Sequence, residues 1–313
     1  MDDSEQLCVN GSSGRRQSFL PLSSNQVRVL SADSQALGTL HAASDSLSYL
    51  VRGDSNQALA RIPARTFQCC VTSPPYWSLR DYNILGQIGL EQSLDDYIGS
   101  LIAVFEQVRR VLRDDGTLWL NIGDSYTSGN RTWRAPDKKN PARAMDIRPP
   151  TPDGIKPKDL IGVPWRLAFA LQAAGWYLRS DIIWNKPNCQ PESVKDRPTR
   201  CHEYLFLFSK DERYAYDPLA IRGPNGRNLR TVWDINTQAS KELHFATFPP
   251  ALVEPCITLG SKEGDMVLDP FLGSGTTGLV ALRLGRRFVG VELNPEYVQI
   301  ALERLKGTVV HEQ

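Results

Sequence analysis

The sequence predicts an α/β protein, a mostly parallel sheet with helices on both faces. Three observations carry that expectation. Short apolar runs such as Phe67-Gln68-Cys69-Cys70-Val71 and Met266-Val267-Leu268-Asp269 read as strands buried on both faces. Segments of helical period lie between such runs. A glycine-rich loop, Leu272-Gly273-Ser274-Gly275-Thr276-Thr277, leads from a strand into a helix. Alternation of this kind builds parallel sheets.

Taken in order, residues 1–45 are rich in Ser, Gly, Gln and Asn and predict a flexible arm, apart from a short strand at 27–30. The remainder, 46–313, reads as one catalytic-sized domain with irregular insertions around 125–160 and 195–243. Strands are expected at 49–52 and 67–71, with a short helix at 55–62. Apolar residues Tyr97, Ile98, Leu101, Val104, Phe105, Val108 and Leu112 form a helical stripe that the sequence Asp-Asp-Gly should end. A buried strand follows at 116–122. Val163 to Ala174 predicts a helix with Pro164 at its start and Gly175 past its end. Strands are expected near 178–184 and 204–208, and a helix from Phe248 to Leu259 with Pro249 and Pro250 in its first turn. A strand at 266–269, a helix at 278–284, a strand at 287–292 and a helix capped by Asn294 complete the chain.

The bulk numbers exclude several classes. With 313 residues, 41% hydrophobic and 23% charged, the chain is long enough to bury a full core. Its net charge of +1 means that an anionic partner must be met by a local patch. No run of about 20 apolar residues predicts a membrane span. Asp2 and Asp3, with no apolar run behind them, argue against a secretory signal. The six cysteines contain no C-x-x-C pair, so no structural zinc and no other metal is expected, and the thiols should be reduced in a cytosol. Cys69 and Cys70 should point to opposite faces of their strand.

Two features carry chemistry. In the glycine-rich loop, Gly273 and Gly275 let the backbone approach a ligand closely. Asp269 ends the preceding strand, where α/β sheets bind ligands, and could neutralise a cation. Glu292 ends the next strand, placed to grip the hydroxyls of a ribose. The loop is not G-x-G-x-x-G and has no Walker lysine, so a phosphate ligand is poorly supported. A ligand with a ribose and a positive charge fits better, and S-adenosyl-L-methionine has both. The second feature is Thr72-Ser73-Pro74-Pro75-Tyr76-Trp77. Two prolines end a strand abruptly and remove two donors. They leave the Ser73 and Pro74 carbonyls, the Ser73 hydroxyl and the Tyr76 ring as a seat for a planar group bearing an –NH₂. Fixed acceptors would favour a pyramidal amine nitrogen whose lone pair can meet a methyl donor. Attack at cytosine C5 would need a cysteine nucleophile, and Tyr76 stands where one would follow the prolines.

Together these residues resemble an amino-methylating DNA methyltransferase of restriction–modification type. Ser73-Pro74-Pro75-Tyr76 is similar to the family's catalytic motif. "LDPFLGSGTT" resembles its S-adenosylmethionine motif, here Asp269, Pro270, Phe271, Gly273, Ser274, Gly275, Thr276 and Thr277. "VGVELNPEYV" resembles the ribose motif that follows, with Glu292, Leu293 and Asn294. "HFATFPPALVEPCI" resembles the segment closing over the cofactor, with Phe248 and Pro249. "YLVRGDSNQAL" resembles the strand whose aspartate, here Asp54, lies near the cofactor adenine. "DIIWNKPNCQPES" followed by "HEYLFLFSK" resembles the region flanking the target-base pocket. With the catalytic motif first and the cofactor motif last, the order is that of the permuted beta group.

The resemblance implies a seven-stranded sheet with one antiparallel strand, and a cytoplasmic bacterial or phage-type enzyme that flips a base out of duplex DNA. A restriction endonuclease acting on the same site is the implied protein partner. Serine at the first motif position leans to cytosine N4 in this family and aspartate to adenine N6, so both amines stay in view. RNA or a protein amide as substrate, and a non-catalytic DNA-binding protein, are the rival readings. DNA contacts are expected from basic residues of the irregular segments: Arg131, Arg134, Lys138, Lys139, Lys186, Arg197, Arg200, Arg227 and Arg230.

Overall fold

The computed structural model describes residues 27–40, 47–127, 133, 149–238 and 248–306. Among these residues nine strands form one sheet in the order β1-β2-β9-β8-β3-β4-β6-β5-β7. They are β1 Val27–Ser31, β2 Ser48–Arg52, β3 Phe67–Thr72, β4 Leu112–Ile122, β5 Tyr177–Asn185, β6 His202–Ser209, β7 Val232–Asp234, β8 Met266–Asp269 and β9 Arg287–Glu292. Among the described residues only β6 pairs antiparallel, with β4 and β5 on either side. The expectation of one antiparallel strand holds. The strand count is nine rather than seven, because β1 and β7 extend the two edges.

Among the described residues six α-helices cover the faces: α1 Ser55–Arg61, α2 Leu94–Val111, α3 Val163–Ala173, α4 Pro250–Gly260, α5 Thr276–Arg283 and α6 Pro295–Lys306. Alternation along the strands divides the core in two. Phe67, Cys70, Leu118, Leu120, Leu268, Val289 and Val291 face α1, α2 and α3. Cys69, Val71, Trp119, Val267 and Phe288 face α4, α5 and α6. Cys69 and Cys70 thus point to opposite faces, as their adjacency required.

Local chemistry explains the element ends. Ser93 caps α2 by accepting from Asp96 N, with Asp95 and Asp96 at its positive end and Arg109 and Arg110 at its negative end. Asp124 closes the start of α3, its Oδ1 accepting from Gly162 N and Val163 N at 2.9 and 3.0 Å. Pro249 is the cap of α4, and Pro250 begins the helix later than a start at Phe248 would have it. Asp-Asp-Gly does not separate α2 from the next strand. Instead β4 begins at Leu112, and a register shift between Phe67 and Cys69 absorbs the extra residues.

The expected arm boundary at residue 45 is also corrected. Strand β1 pairs in parallel with β2, and a 3-10 turn at Gln35–Thr39 follows it. Leu37 and Leu40 are buried in the core beside Leu59 and Ile62. Hydrophobic burial, which the polar composition of 1–45 concealed, ties this segment to the sheet.

The order β9-β8-β3-β4 places a topological switch at the centre. The chain leaves β8 toward β9 on one side and β3 toward β4 on the other. Ligands of open α/β sheets bind at the carboxyl ends flanking such a point.

Candidate active site

Four parallel strands, β2, β9, β8 and β3, end side by side at this edge and deliver Asp54, Glu292, Asp269 and Ser73 respectively. A cavity of about 380 Å³ opens there, within the usual range for a small-molecule site. Its wall includes Asp54, Ser73, Pro74, Pro75 and Tyr76, then Phe248, Pro270, Phe271, Gly273, Ser274 and Thr276, and finally Glu292, Leu293 and Asn294. The catalytic-type motif and the glycine-rich loop therefore share one cavity although they lie at opposite ends of the sequence.

The proline turn is braced from below. Tyr97 Oη, on α2, donates to the Pro75 carbonyl at 2.8 Å. Leu79 N donates to the Tyr76 carbonyl at 3.2 Å. The carbonyls of Ser73 and Pro74 accept from no donor among the described residues. Trp77 is 4% exposed and its indole N–H donates to Glu91 O at 3.0 Å, so it packs beneath the turn.

Tyr76 is held by groups on β4 and β6. Its Oη donates to Glu203 Oε2 at 2.8 Å, with Asn121 Oδ1 and Ser73 Oγ each 3.4 Å away. Asn121 Nδ2 donates to the same Glu203 oxygen at 3.2 Å and to Tyr204 O at 3.1 Å. Lys186 Nζ is paired with Glu203 Oε1 and stands 4.2 Å from the centre of the Trp184 ring. Burial, then the Glu203 carboxylate, holds the Tyr76 phenol well above its usual range. It is a neutral donor, not a base.

The carboxylates at the other end have different duties. Asp269 is 1% exposed and does not reach the cavity wall. Its Oδ1 accepts from Thr72 Oγ1 at 2.6 Å and Phe271 N at 3.0 Å, and its Oδ2 from Thr277 Oγ1 at 2.7 Å. Asp269, expected to face a cation, here braces β3, β8 and the first turn of α5. Gly275, Thr277 and Pro249 likewise sit behind the wall. Burial pushes the Asp269 carboxyl up to about 6, against the three donated hydrogen bonds. Glu292 does face the cavity. It accepts from Gly273 N and Asn294 N, each at 2.8 Å, and burial pushes it up to about 7. Asp54 caps α1, accepting from Gln57 N at 2.9 Å.

This donor set fits S-adenosylmethionine better than a phosphate ligand. Two carboxylates, Asp54 and Glu292, and two aromatic rings, Phe248 and Phe271, line this end, and residues 270–277 contain no cation. Gly273 has φ +54° and nothing within 4 Å of the place a Cβ would occupy, so its backbone is open to a ligand. Among the described residues no cluster of His, Cys, Asp or Glu is arranged to hold a metal ion.

The expected DNA contacts divide. Lys186 is inside the cavity. Arg197 pairs with Glu192 at 2.6 Å and lies 3.8 Å over the Tyr126 ring, while Arg200 approaches Asp124 at 3.6 Å. These two fasten loops together. Arg227 and Arg230 are exposed. Arg131, Arg134, Lys138 and Lys139 lie outside the described residues. Sequence reading missed Asn121, Glu203, Trp184 and the wall residues Arg80, Tyr82 and Tyr297. Asn121, a polar residue inside an apolar strand, was the one signal available.

Known proteins place this geometry. A family model described as DNA methylase matches residues 67–303. The type II methyltransferase M.XycI of Xanthomonas campestris pv. cyanopsidis is 61% identical over 83% of this chain and 88% of its own. M.SmaI of Serratia marcescens, also a type II methyltransferase, is 60% identical over 82% of this chain and 90% of its own. Among solved structures, the cytosine-N4-specific PvuII DNA methyltransferase aligns with TM-score 0.62 at 22% identity, covering 83% of this chain and 90% of that one. TTHA0409 of Thermus thermophilus, complexed with S-adenosyl-L-methionine, aligns with TM-score 0.59 at 27% identity, covering 84% and 95%. With the match running from β3 into α6, the chain belongs to the amino-DNA methyltransferases of type II restriction–modification.

Proposed function

We propose that the protein methylates the exocyclic N4 amine of a cytosine flipped out of duplex DNA, using S-adenosyl-L-methionine. The observation that carries this reading is one cavity lined both by Ser73 and Pro74, whose carbonyls accept from no donor among the described residues, and by the open backbone at Gly273. S-adenosyl-L-methionine supplies an electrophilic methyl group on a sulfonium sulfur. Glu292 and Asp54 are suited to its hydroxyl and ammonium groups, and Phe248 and Phe271 to its apolar surface. Asp269 acts from behind the wall, holding the loop in shape through Thr72 and Thr277.

At the other end, the Ser73 and Pro74 oxygens would accept the two amine hydrogens and favour a pyramidal nitrogen. The Tyr76 ring offers a stacking face worth about 1–3 kcal/mol, against a few kcal/mol for unpairing the base. Glu203 and Asn121 fix that ring by its hydroxyl. Lys186 brings a cation within reach of a pyrimidine's ring acceptors. The exposed basic segment around Arg227 and Arg230 would grip phosphates, and a cognate endonuclease cutting the same site is the partner this role implies.

Serine in "TSPPY" favours cytosine over adenine. Duplex DNA exposed to the protein and S-adenosylmethionine is digested to nucleosides and weighed. N4-methylcytosine is the expected product; N6-methyladenine in its place overturns the choice of base.

A further inference from the structure

The five described cysteines divide into two groups. Cys69, Cys70 and Cys256 are wholly buried, and burial pushes the Cys69 thiol up to about 12. They are inert. Cys189 and Cys201 are partly exposed, and their sulfurs lie 2.6 Å apart. A disulfide bond measures about 2.05 Å, so little movement separates the pair from a covalent link.

The backbone keeps them there. Lys186 N donates to Cys201 O at 2.7 Å, which continues the β5–β6 ladder one step beyond the pair Asn185–His202. Cys189 N then donates to Lys186 O at 3.0 Å. The two thiols thus close the mouth of an irregular loop, residues 190–200. Among the described residues its charged fastenings are Glu192–Arg197, Arg200–Asp124 and Lys158–Asp196. The last joins side chains that are 83% and 59% exposed, and such pairs contribute little. The feet of the loop carry Lys186 and Glu203, both on the cavity wall, and Asn188 beside Cys189 holds Thr237, another wall residue, by 2.8 and 3.0 Å hydrogen bonds.

We propose that Cys189 and Cys201 are a redox modification site: a low-molecular-weight disulfide converts them to an intramolecular disulfide that locks this loop against the cavity wall. One cysteine thiolate attacks the small disulfide, whose S–S bond breaks and releases one small thiol. The second cysteine thiolate attacks the protein sulfur of the mixed disulfide and releases the other. The protein loses two protons and two electrons, and the small disulfide is reduced to two thiols.

The full chain is incubated with oxidised glutathione, then either alkylated and weighed or digested briefly with trypsin. A peptide pair linked through Cys189 and Cys201, two hydrogens lighter than the reduced peptides, is expected. Cleavage at Lys195 and Arg200 should slow by roughly tenfold, because the crosslink suppresses local opening. Cys189→Ser and Cys201→Ser should each lose both effects, and dithiothreitol should reverse them in the wild type. Glutathione adducts that persist on either cysteine, or two thiols that stay fully alkylatable, overturn the proposal. No readout depends on methyl transfer, so a different reaction at the cavity would leave the outcome intact.

Discussion

Gly123 decides how Tyr76 can sit. It follows β4, and a Cβ there would stand 2.8 Å from Tyr76 Cε2 and 3.3 Å from the Glu203 side chain. The ring cannot simply back away, because its hydroxyl is tied to Glu203 Oε2. Gly123→Ala should therefore displace the ring while leaving the cofactor end, on other strands, untouched. Single-turnover methylation is expected to fall by about tenfold or more, in line with the cost of sub-ångström misplacement. Cofactor affinity should stay the same, and a matching loss there would show a general defect instead. Tyr76→Phe should be mild, since Asn121 still serves Glu203 and only about 1 kcal/mol of hydrogen bonding goes. Tyr76→Ala should cost far more. Equal losses in the two variants would remove stacking as the reason for the aromatic. The turn itself was legible, because two prolines and an aromatic end a buried strand, and the glycine-rich loop far downstream turned an ordinary turn into a candidate site. Glu203 was not. It is one acid among many in the sequence, and only the β4–β6 pairing brings it to Tyr76.

The carboxyl ends of β8 and β9 form one titrating element. Asp269 and Glu292 are both raised by burial, to about 6 and about 7. The folded state therefore binds more protons than the unfolded chain between each unfolded value and each folded one. Their contribution to stability is full below the unfolded values, 3.8 and 4.5, and is lost as pH rises through 6 and 7. The shifts correspond to roughly 3 kcal/mol for each group. The cofactor-free protein should lose thermal stability between about pH 4 and 7 on their account. A cationic cofactor prefers the ionised form of Glu292, which faces the cavity, so its affinity should rise as pH climbs through about 7. Thermal unfolding with and without S-adenosylmethionine across this range tests both signs, and Glu292→Gln should flatten the cofactor's dependence. An affinity that does not change with pH would mean that Glu292 does not face the cofactor. Strand-end placement of both acids could be read from sequence, since a strand, a loop and a helix follow in order. That Asp269 turns inward could not, because Thr72 lies 197 residues away from it in the chain. Strand β7 escaped notice for a similar reason. Its three residues carry no periodicity, and only pairing with β5 makes them a strand.

Across the whole molecule, a net charge of +1 must still meet a polyanion. The structure shows which cations are spent internally. Arg197, Arg200 and Lys158 are paired with acids, and Lys186 is engaged inside the cavity. Arg227 and Arg230 remain exposed, on the segment that leads into β7 at the edge of the sheet. Sequence composition ranked all these basic residues alike, because charge density says nothing about pairing. Arg227→Glu and Arg230→Glu should each weaken duplex DNA binding and lower the salt slope of the binding constant by roughly one. Arg197→Glu should instead act through the fold, releasing Glu192 and the Tyr126 ring, and should lower the unfolding midpoint. Titrations at several salt concentrations, paired with thermal unfolding, separate the two. If reversal at Arg227 and Arg230 leaves affinity at fixed salt unchanged, the phosphate-gripping face lies elsewhere, and the basic residues of 131–148 become the place to look.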